Sequence, residues 1–343
     1  MKLTRMLLAG CALLAVAGVA IVAQQTTRAG ANMVTEAQRF LAALTDEQKT
    51  QATFSFDDKE RTTWYFTPQQ NNTTRKATRK GLPLEAMTPE QRKAALALVK
   101  AGTSETGNSA AVTIMSLESI LADLEKKGAM IRNPDWYFFT IFGTPAKSGK
   151  WGWRVEGHHL SLNFTMDGDQ VVASTPAFFG ANPAELKSGA KKGYRTLAAA
   201  EDDARELFNS LSDEQKQVAH QAKHFGEPGE TTITPKLGQP VGLAASKLTK
   251  AQHASLMKLL KHYTDRMPEE IGAVEYKLAQ QAGPDAMYIA YSGDLMPGKG
   301  YTYRVHGPTF VVEFLNVQAD SAKNPANHIH SAWRRIKGDF GLN

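Results

Sequence analysis

A chain of 343 residues, 42% hydrophobic and 22% charged, carries enough apolar side chain for one large core or two modest ones, which excludes an intrinsically disordered polymer. Its net charge of +6 falls to +4 once Lys2 and Arg5 at the N-terminus are set aside, too mild a surplus to argue for a nucleic-acid partner. The single cysteine is Cys11, inside the same N-terminal segment, so the rest of the chain has no disulfide, thiolate metal site or cysteine nucleophile.

The first element in chain order is a leader. Lys2 and Arg5 precede an apolar run from Met6 to Ala23, and polar Gln24-Gln25-Thr26-Thr27 follows. This order predicts a signal peptide over residues 1–23 and export to the periplasm or beyond, with cleavage after Ala20 or Ala23. The run is about 18 residues long, near the lower limit for a membrane span, which makes an uncleaved anchor the alternative. Once the leader is cleaved, no stable membrane insertion is expected. Leu8-Ala9-Gly10-Cys11 matches a lipoprotein box but comes too early in the apolar run.

Four segments then share a helix-start signature, Ser or Thr followed three residues later by Gln: Thr45 and Gln48, Thr88 and Gln91, Ser212 and Gln215, Thr249 and Gln252. Each reads as a capping box. Helices are predicted near 35–50, 88–101 and 112–127, and again near 197–221, 249–264 and 268–281. The stripes Leu117, Leu121, Leu124 and Leu256, Leu259, Leu260, Tyr263 mark their buried faces. Arg75, Lys76, Arg79 and Lys80 read as a solvated basic loop.

Strands follow each helical block, starting at Trp136-Tyr137-Phe138-Phe139 and at Met287-Tyr288-Ile289-Ala290. Asp167-Gly168 predicts a hairpin turn that sets 159–166 antiparallel to 169–175. Phe179-Gly180-Ala181-Asn182-Pro183 reads as turn-like linker, and a boundary is expected near residue 193.

The chain also repeats itself. Trp151-Gly152-Trp153-Arg154-Val155-Glu156-Gly157 returns as Tyr301-Thr302-Tyr303-Arg304-Val305-His306-Gly307, and Phe164 returns as Phe314. The capping boxes repeat in the same order. The predicted fold is therefore α+β, a tandem duplication of a helices-then-antiparallel-sheet unit over residues 31–193 and 194–343, packed with pseudo-two-fold symmetry.

Residues common to both copies are most simply scaffold, and the polar residues only one copy has are where chemistry is sought. In the first copy these are His158, His159 and Asn163; in the second, Glu313 and Asn327-His328-Ile329-His330. Two histidines two apart on an extended segment aim both imidazoles to one side, as metal sites require. With Glu313 they make a two-histidine, one-carboxylate set suited to zinc, copper or iron. The bland reading of Glu313 is an ion pair with Arg304 or Arg154. Asn316, Gln318 and Asn327 are candidates for hydrogen bonds around the ligands.

Neighbouring His158 and His159 face opposite sides of a strand unless a turn at Gly157 intervenes. If equivalent sheet faces meet, His159 and Asn163 face Glu313 and the His328/His330 pair. A separation of His159 from His330 above about 15 Å defeats this, because metal bonds are only ~2 Å long.

Other signatures are absent or spoiled. No Gly-x-Ser-x-Gly elbow and no His-Glu-x-x-His helix occurs. Gly143 to Lys150 resembles a phosphate loop, but with one residue too many and Trp151 where Ser or Thr should bind magnesium, so it reads as a hairpin loop.

Glu156-Gly157-His158-His159-Leu160-Ser161-Leu162-Asn163, Gly307-Pro308 through Glu313, Asn327-His328-Ile329-His330-Ser331-Ala332-Trp333-Arg334 and Asp339-Phe340-Gly341 together resemble domain-of-unknown-function family 3500. The resemblance spans about Ala31 to Gly341. It implies an exported bacterial protein with fungal relatives, and it implies that the Gly-His-His and Asn-His-x-His segments belong to a family pattern. It supplies no activity and so assigns no catalytic residue.

The expected function is an exported, metal-assisted enzyme, a hydrolase before an oxidoreductase, acting on a small molecule or polymer at one asymmetric site. Glu313, His328 and His330 are the expected ligands, His158 or His159 a further ligand or general base, and Asn163 and Arg334 orient substrate. The alternative is a non-catalytic extracytoplasmic module that stacks a small ligand or surface polymer on Trp151, Trp153, Tyr301 and Tyr303.

Overall fold

The computed structural model describes residues 28–126 and 128–342; the leader expected over 1–23 lies outside them. Helix α1 runs over 28–43 and α2 over Asp46–Ala52, so the single helix predicted near 35–50 is two. Thr45 is the reason: its side chain accepts from the Gln48 N–H, which starts a new helix at that point. Ser212 divides the predicted 197–221 helix in the same way, into α5 (Ala198–Asn209) and α6 (Asp213–Ala219). The remaining helices are α3 (Pro89–Gly102), α4 (Glu105–Leu124), α7 (Lys250–Thr264) and α8 (Glu269–Gln281).

All four predicted capping boxes form. Their glutamines do more than cap. Gln48 and Gln91 exchange amide hydrogen bonds of 3.0 and 2.7 Å, which ties α2 to α3. Gln215 and Gln252 tie α6 to α7 in the same way.

The strands are β1 (Thr53–Phe54), β2 (Leu82–Pro83), β3 (Phe138–Gly143), β4 (Lys150–Gly157), β5 (Leu160–Asp167), β6 (Gln170–Ala173) and β7 (Ala177–Ala181), then β8 (Leu243–Ala244), β9 (Tyr288–Gly293), β10 (Tyr301–His306), β11 (Phe310–Gln318) and β12 (His328–Arg335). They form one mostly antiparallel sheet in the order β1-β3-β4-β5-β7-β12-β11-β10-β9-β8, with β2 and β6 paired to β3 and β5. The two halves of the chain therefore meet edge to edge at β7 and β12 rather than face to face.

The linker expected at 179–183 is instead mostly this seam strand. Gly180 makes the seam close enough to work: a Cβ there would stand 2.7 Å from the Ile329 carbonyl oxygen and 3.3 Å from the His159 Cβ. A turn-like residue pattern concealed a strand because the glycine serves backbone approach, not a bend.

Strand alternation gives the sheet two different faces. Leu160, Leu162, Phe164 and Met166 join one core cluster with the helices and with β10 to β12. Trp151, Trp153, Tyr301 and Tyr303 lie in that cluster at 0–1% exposure, so the stacking surface expected of them is absent. On the other face irregular segments replace helices. Trp64 donates to the Thr232 carbonyl at 3.2 Å, and Arg61 donates to the Phe340 carbonyl at 2.9 Å. Trp64, Phe66, Phe178, Ala332 and Phe340 form a second, smaller core beneath them.

The basic loop expected at 75–80 is only partly solvated. Arg79 turns inward, where its side chain is 3% exposed and donates to Glu156 at 3.1 Å. Among the described residues, no helix is long and apolar enough to cross a membrane.

Candidate metal centre

Strands β4 and β5 close their register at Gly157 and Leu160, so His158 and His159 are themselves the two-residue turn. His159 has φ of 63°, a left-handed conformation that costs a residue with a side chain roughly 1–3 kcal/mol. Two backbone bonds of 2.8 Å hold it there, His159 N–H to the Phe66 carbonyl and Gly180 N–H to the His159 carbonyl. The turn throws both imidazoles to one side, with ring centroids 3.7 Å apart.

Strand β12 begins at His328, and alternation points His328 and His330 the same way. They meet His159 across the seam. The His159 Nε2 lies 2.8 Å from the His328 Nε2 and 3.2 Å from the His330 Nε2, far inside the 15 Å limit that the sequence argument set. His159 and His330 are buried and His328 partly so. Among the described residues these three form a group able to hold a metal ion, with their ligand nitrogens within 4.8 Å of one another.

Burial, reinforced by the neighbouring histidines, holds the His159 imidazole well below its ordinary pKa. The same causes, burial first, push His328 down to about 2. Both rings are therefore neutral at pH 7, the form that binds metals. Bonds of ~2.0–2.1 Å in tetrahedral geometry place ligand nitrogens about 3.3 Å apart. The two distances from His159, 2.8 and 3.2 Å, lie within a few tenths of an ångström of that spacing, and the remaining pair, His328 and His330, lies within 4.8 Å.

Hydrogen bonds behind the ligands orient them. Glu227 Oε2 lies 2.5 Å from the His330 Nδ1, an arrangement that leaves the Nε2 lone pair facing the cluster. Gln318 donates to Glu227 Oε1 at 2.8 Å, and Asn316 Oδ1 accepts the His328 N–H at 3.1 Å. The Asn182 amide stands 3.5 Å from the His328 Nδ1. Asn327 braces the approach to β12 by accepting the Glu185 N–H at 2.7 Å and donating to Asp320 at 2.6 Å. Phe66 and Phe178 close one side, their ring centroids 5.1 and 5.6 Å from that of His330.

The other sequence-derived candidates stand apart from this convergence. Glu313 pairs opposite Ala332, the next position along the His330 face of the sheet. Its carboxylate accepts from Arg304 at 2.7 Å, so it is an ion-pair partner and does not join the three histidines. His158 stacks behind His159 but turns its Nδ1 to Glu118 at 2.7 Å. Asn163 donates to Ser161 and to the Pro176 carbonyl. Arg334 is fully buried and donates to Asp339 at 2.8 Å and to the Thr232 carbonyl at 2.7 Å. It braces the covering segments.

Glu227, Asn182 and Glu118 were not found by sequence reasoning. Glu227 sits in Phe225-Gly226-Glu227-Pro228-Gly229-Glu230, a run with no periodicity, and nothing in its spacing points to His330.

The pattern that defines the family described as "Protein of unknown function (DUF3500)" matches residues 26–342. The chain belongs to this family. No curated protein and no solved structure matches it. Both the His158-His159 turn and the His328/His330 strand fall inside the DUF3500 match.

Proposed function

We propose that this protein is a metal-dependent hydrolase whose ion is held by His159, His328 and His330, with a coordination position left for water and substrate. The observation that carries the reading is the convergence of three Nε2 atoms, one from the His158-His159 turn and two from strand β12. Three imidazole ligands suit zinc, copper or iron. A three-histidine set with an open position is also the arrangement in which zinc lowers the pKa of bound water to about 7. An ion held there would let water serve as the nucleophile without any serine or cysteine. Glu227, whose side chain is 43% exposed, would hold the His330 ring in its ligating orientation from the solvent side. Export through the N-terminal segment remains part of the proposal, supported by the order of basic, apolar and polar residues there.

We also infer that the two halves descend from one duplicated unit. Support comes from the paired glutamine bridges and from a strand order in which each half runs from an outer edge inward to the seam, the first from β1 to β7 and the second from β8 to β12. On this reading the site is asymmetric because the turn at His158-His159 belongs to one half and the His-x-His strand to the other.

The test loads the purified chain with zinc, copper and iron in turn, dialyses it, counts the metal and assays chromogenic esters, amides and phosphodiesters. About one equivalent should remain, and hydrolysis should require it. Retention below about one-tenth of an equivalent defeats the metal assignment, and full retention with no hydrolysis defeats the reaction class. Replacing Glu227 with Gln is expected to weaken metal affinity roughly 10–100-fold by loosening His330, measured by competition with a chromophoric chelator. An unchanged affinity would show that Glu227 does not orient the ligand.

A further inference from the structure

Arg266 is a buried cation that the fold leaves without an acceptor. The other buried arginines all have one: Arg61 donates to the Phe340 carbonyl, Arg79 to Glu156, Arg154 to Glu60, Arg205 to Glu201 and Arg334 to Asp339. Arg266 is equally buried, at 7% exposure. Its guanidinium lies against the rings of Tyr263 and Phe179, 4.8 and 5.1 Å from their centroids. Among the described residues no carboxylate, carbonyl or hydroxyl accepts a hydrogen bond from it. Its five N–H donors find no protein acceptor and depend on what the adjoining cleft holds, and aromatic faces attract the charge without accepting along the N–H directions.

Arg266 lines an open cleft of about 440 Å³ on the helical side of the sheet. The first turn of α5, Leu197 to Ala200, lines the same cleft. This 12-residue helix has no side-chain cap, whereas Thr88, Ser104 and Thr249 cap α3, α4 and α7. Its leading N–H groups and the positive end of its dipole are thus not neutralised by a capping oxygen. Thr196, also in the lining, has a buried hydroxyl with no partner. His262 completes the polar wall and is held by Asp203 at 2.7 Å. Glu105 is the one carboxylate of the lining and is exposed.

We propose that this cleft binds the oxyanion group of a small ligand, a phosphate, sulfate or carboxylate, between the Arg266 guanidinium and the opening turn of α5. The guanidinium offers a planar fork that matches such groups, and the helix adds N–H donors and a favourable dipole. The cleft lies across the sheet from the three histidines, because Phe179 belongs to the helical core and Phe178 to the opposite one. The proposal therefore stands without the metal.

The experiment titrates the full chain with inorganic phosphate, sulfate and acetate at constant ionic strength, reading heat and thermal midpoint. At least one anion should bind saturably, and the three arms identify the chemistry. Ala199→Asp places a carboxylate on an exposed first-turn position that a helix tolerates well. It should weaken binding at least about tenfold without lowering the anion-free midpoint. Arg266→Gln should weaken it as much, and His328→Ala should leave it intact. No saturable binding of any of the three anions, binding that persists in Ala199→Asp, or binding lost in His328→Ala overturns the proposal, the last because the anion would then sit on the metal.

Discussion

Replacing His328 or His330 with alanine is expected to abolish stable metal retention. Each substitution removes one of three converging nitrogens and leaves two, of which His159 lies within 3.2 Å of both others. The loss in affinity should exceed the ~100-fold upper range for removing a hydrogen-bond partner behind a ligand, because a metal bond itself is gone. The same substitutions should remove metal-linked stability. A ligand present at about a hundred times its Kd stabilises the folded state by about 2.7 kcal/mol. Chemical denaturation with and without metal should show that increment in the parent and its absence in both variants. Equal metal content in parent and variants would place any bound ion elsewhere.

The second large effect is expected at Arg334, and it concerns folding. Arg334 and Asp339 are both 0% exposed as side chains and 2.8 Å apart. Burial, the largest influence, holds the Asp339 carboxyl above the usual range even with Arg334 beside it, so the pair is kept at a desolvation cost. Arg334→Ala leaves that carboxyl without its partner and also frees the Thr232 contact that pins a covering segment. A loss of about 3–5 kcal/mol is expected, read as a lower denaturant midpoint. Changing both partners to apolar residues of similar volume should recover most of it. Metal content should not change in either variant. A stable Arg334→Ala protein that loses only turnover would instead restore the substrate-orienting role expected from sequence.

Local rules were readable where they depend on adjacent residues. The capping boxes at Thr45, Thr88, Ser212 and Thr249 needed only a hydroxyl and a glutamine three apart, and all four form. The parity of His328 and His330 followed from strand geometry alone. His159 was named as the partner of that pair, but through a packing of sheet faces; the edge-to-edge seam that brings them together was not legible, since β7 was hidden by Gly180 and Pro183 and its pairing with β12 joins segments far apart in sequence.

Glu313 illustrates the opposite error. Its apolar neighbours Val312 and Phe314 made it look special, and a cross-strand arginine, Arg304, was enough to account for it. Arg79 differs again: its neighbours in sequence are basic and exposed, while the carboxylate that drew it inward, Glu156, lies 77 residues away. Glu227 was invisible for a related reason, because an irregular covering segment has no period to betray which residue it turns inward.

The seam also sets a timetable. The histidines it brings together are separated by 169 and 171 residues, and β7 must pair with β12 before they meet. A chain still being made, or one cut between the halves and separated, holds at most part of the ligand set. Metal would therefore act as an inspector of finished molecules, binding tightly only after the seam has closed and then making its reopening harder.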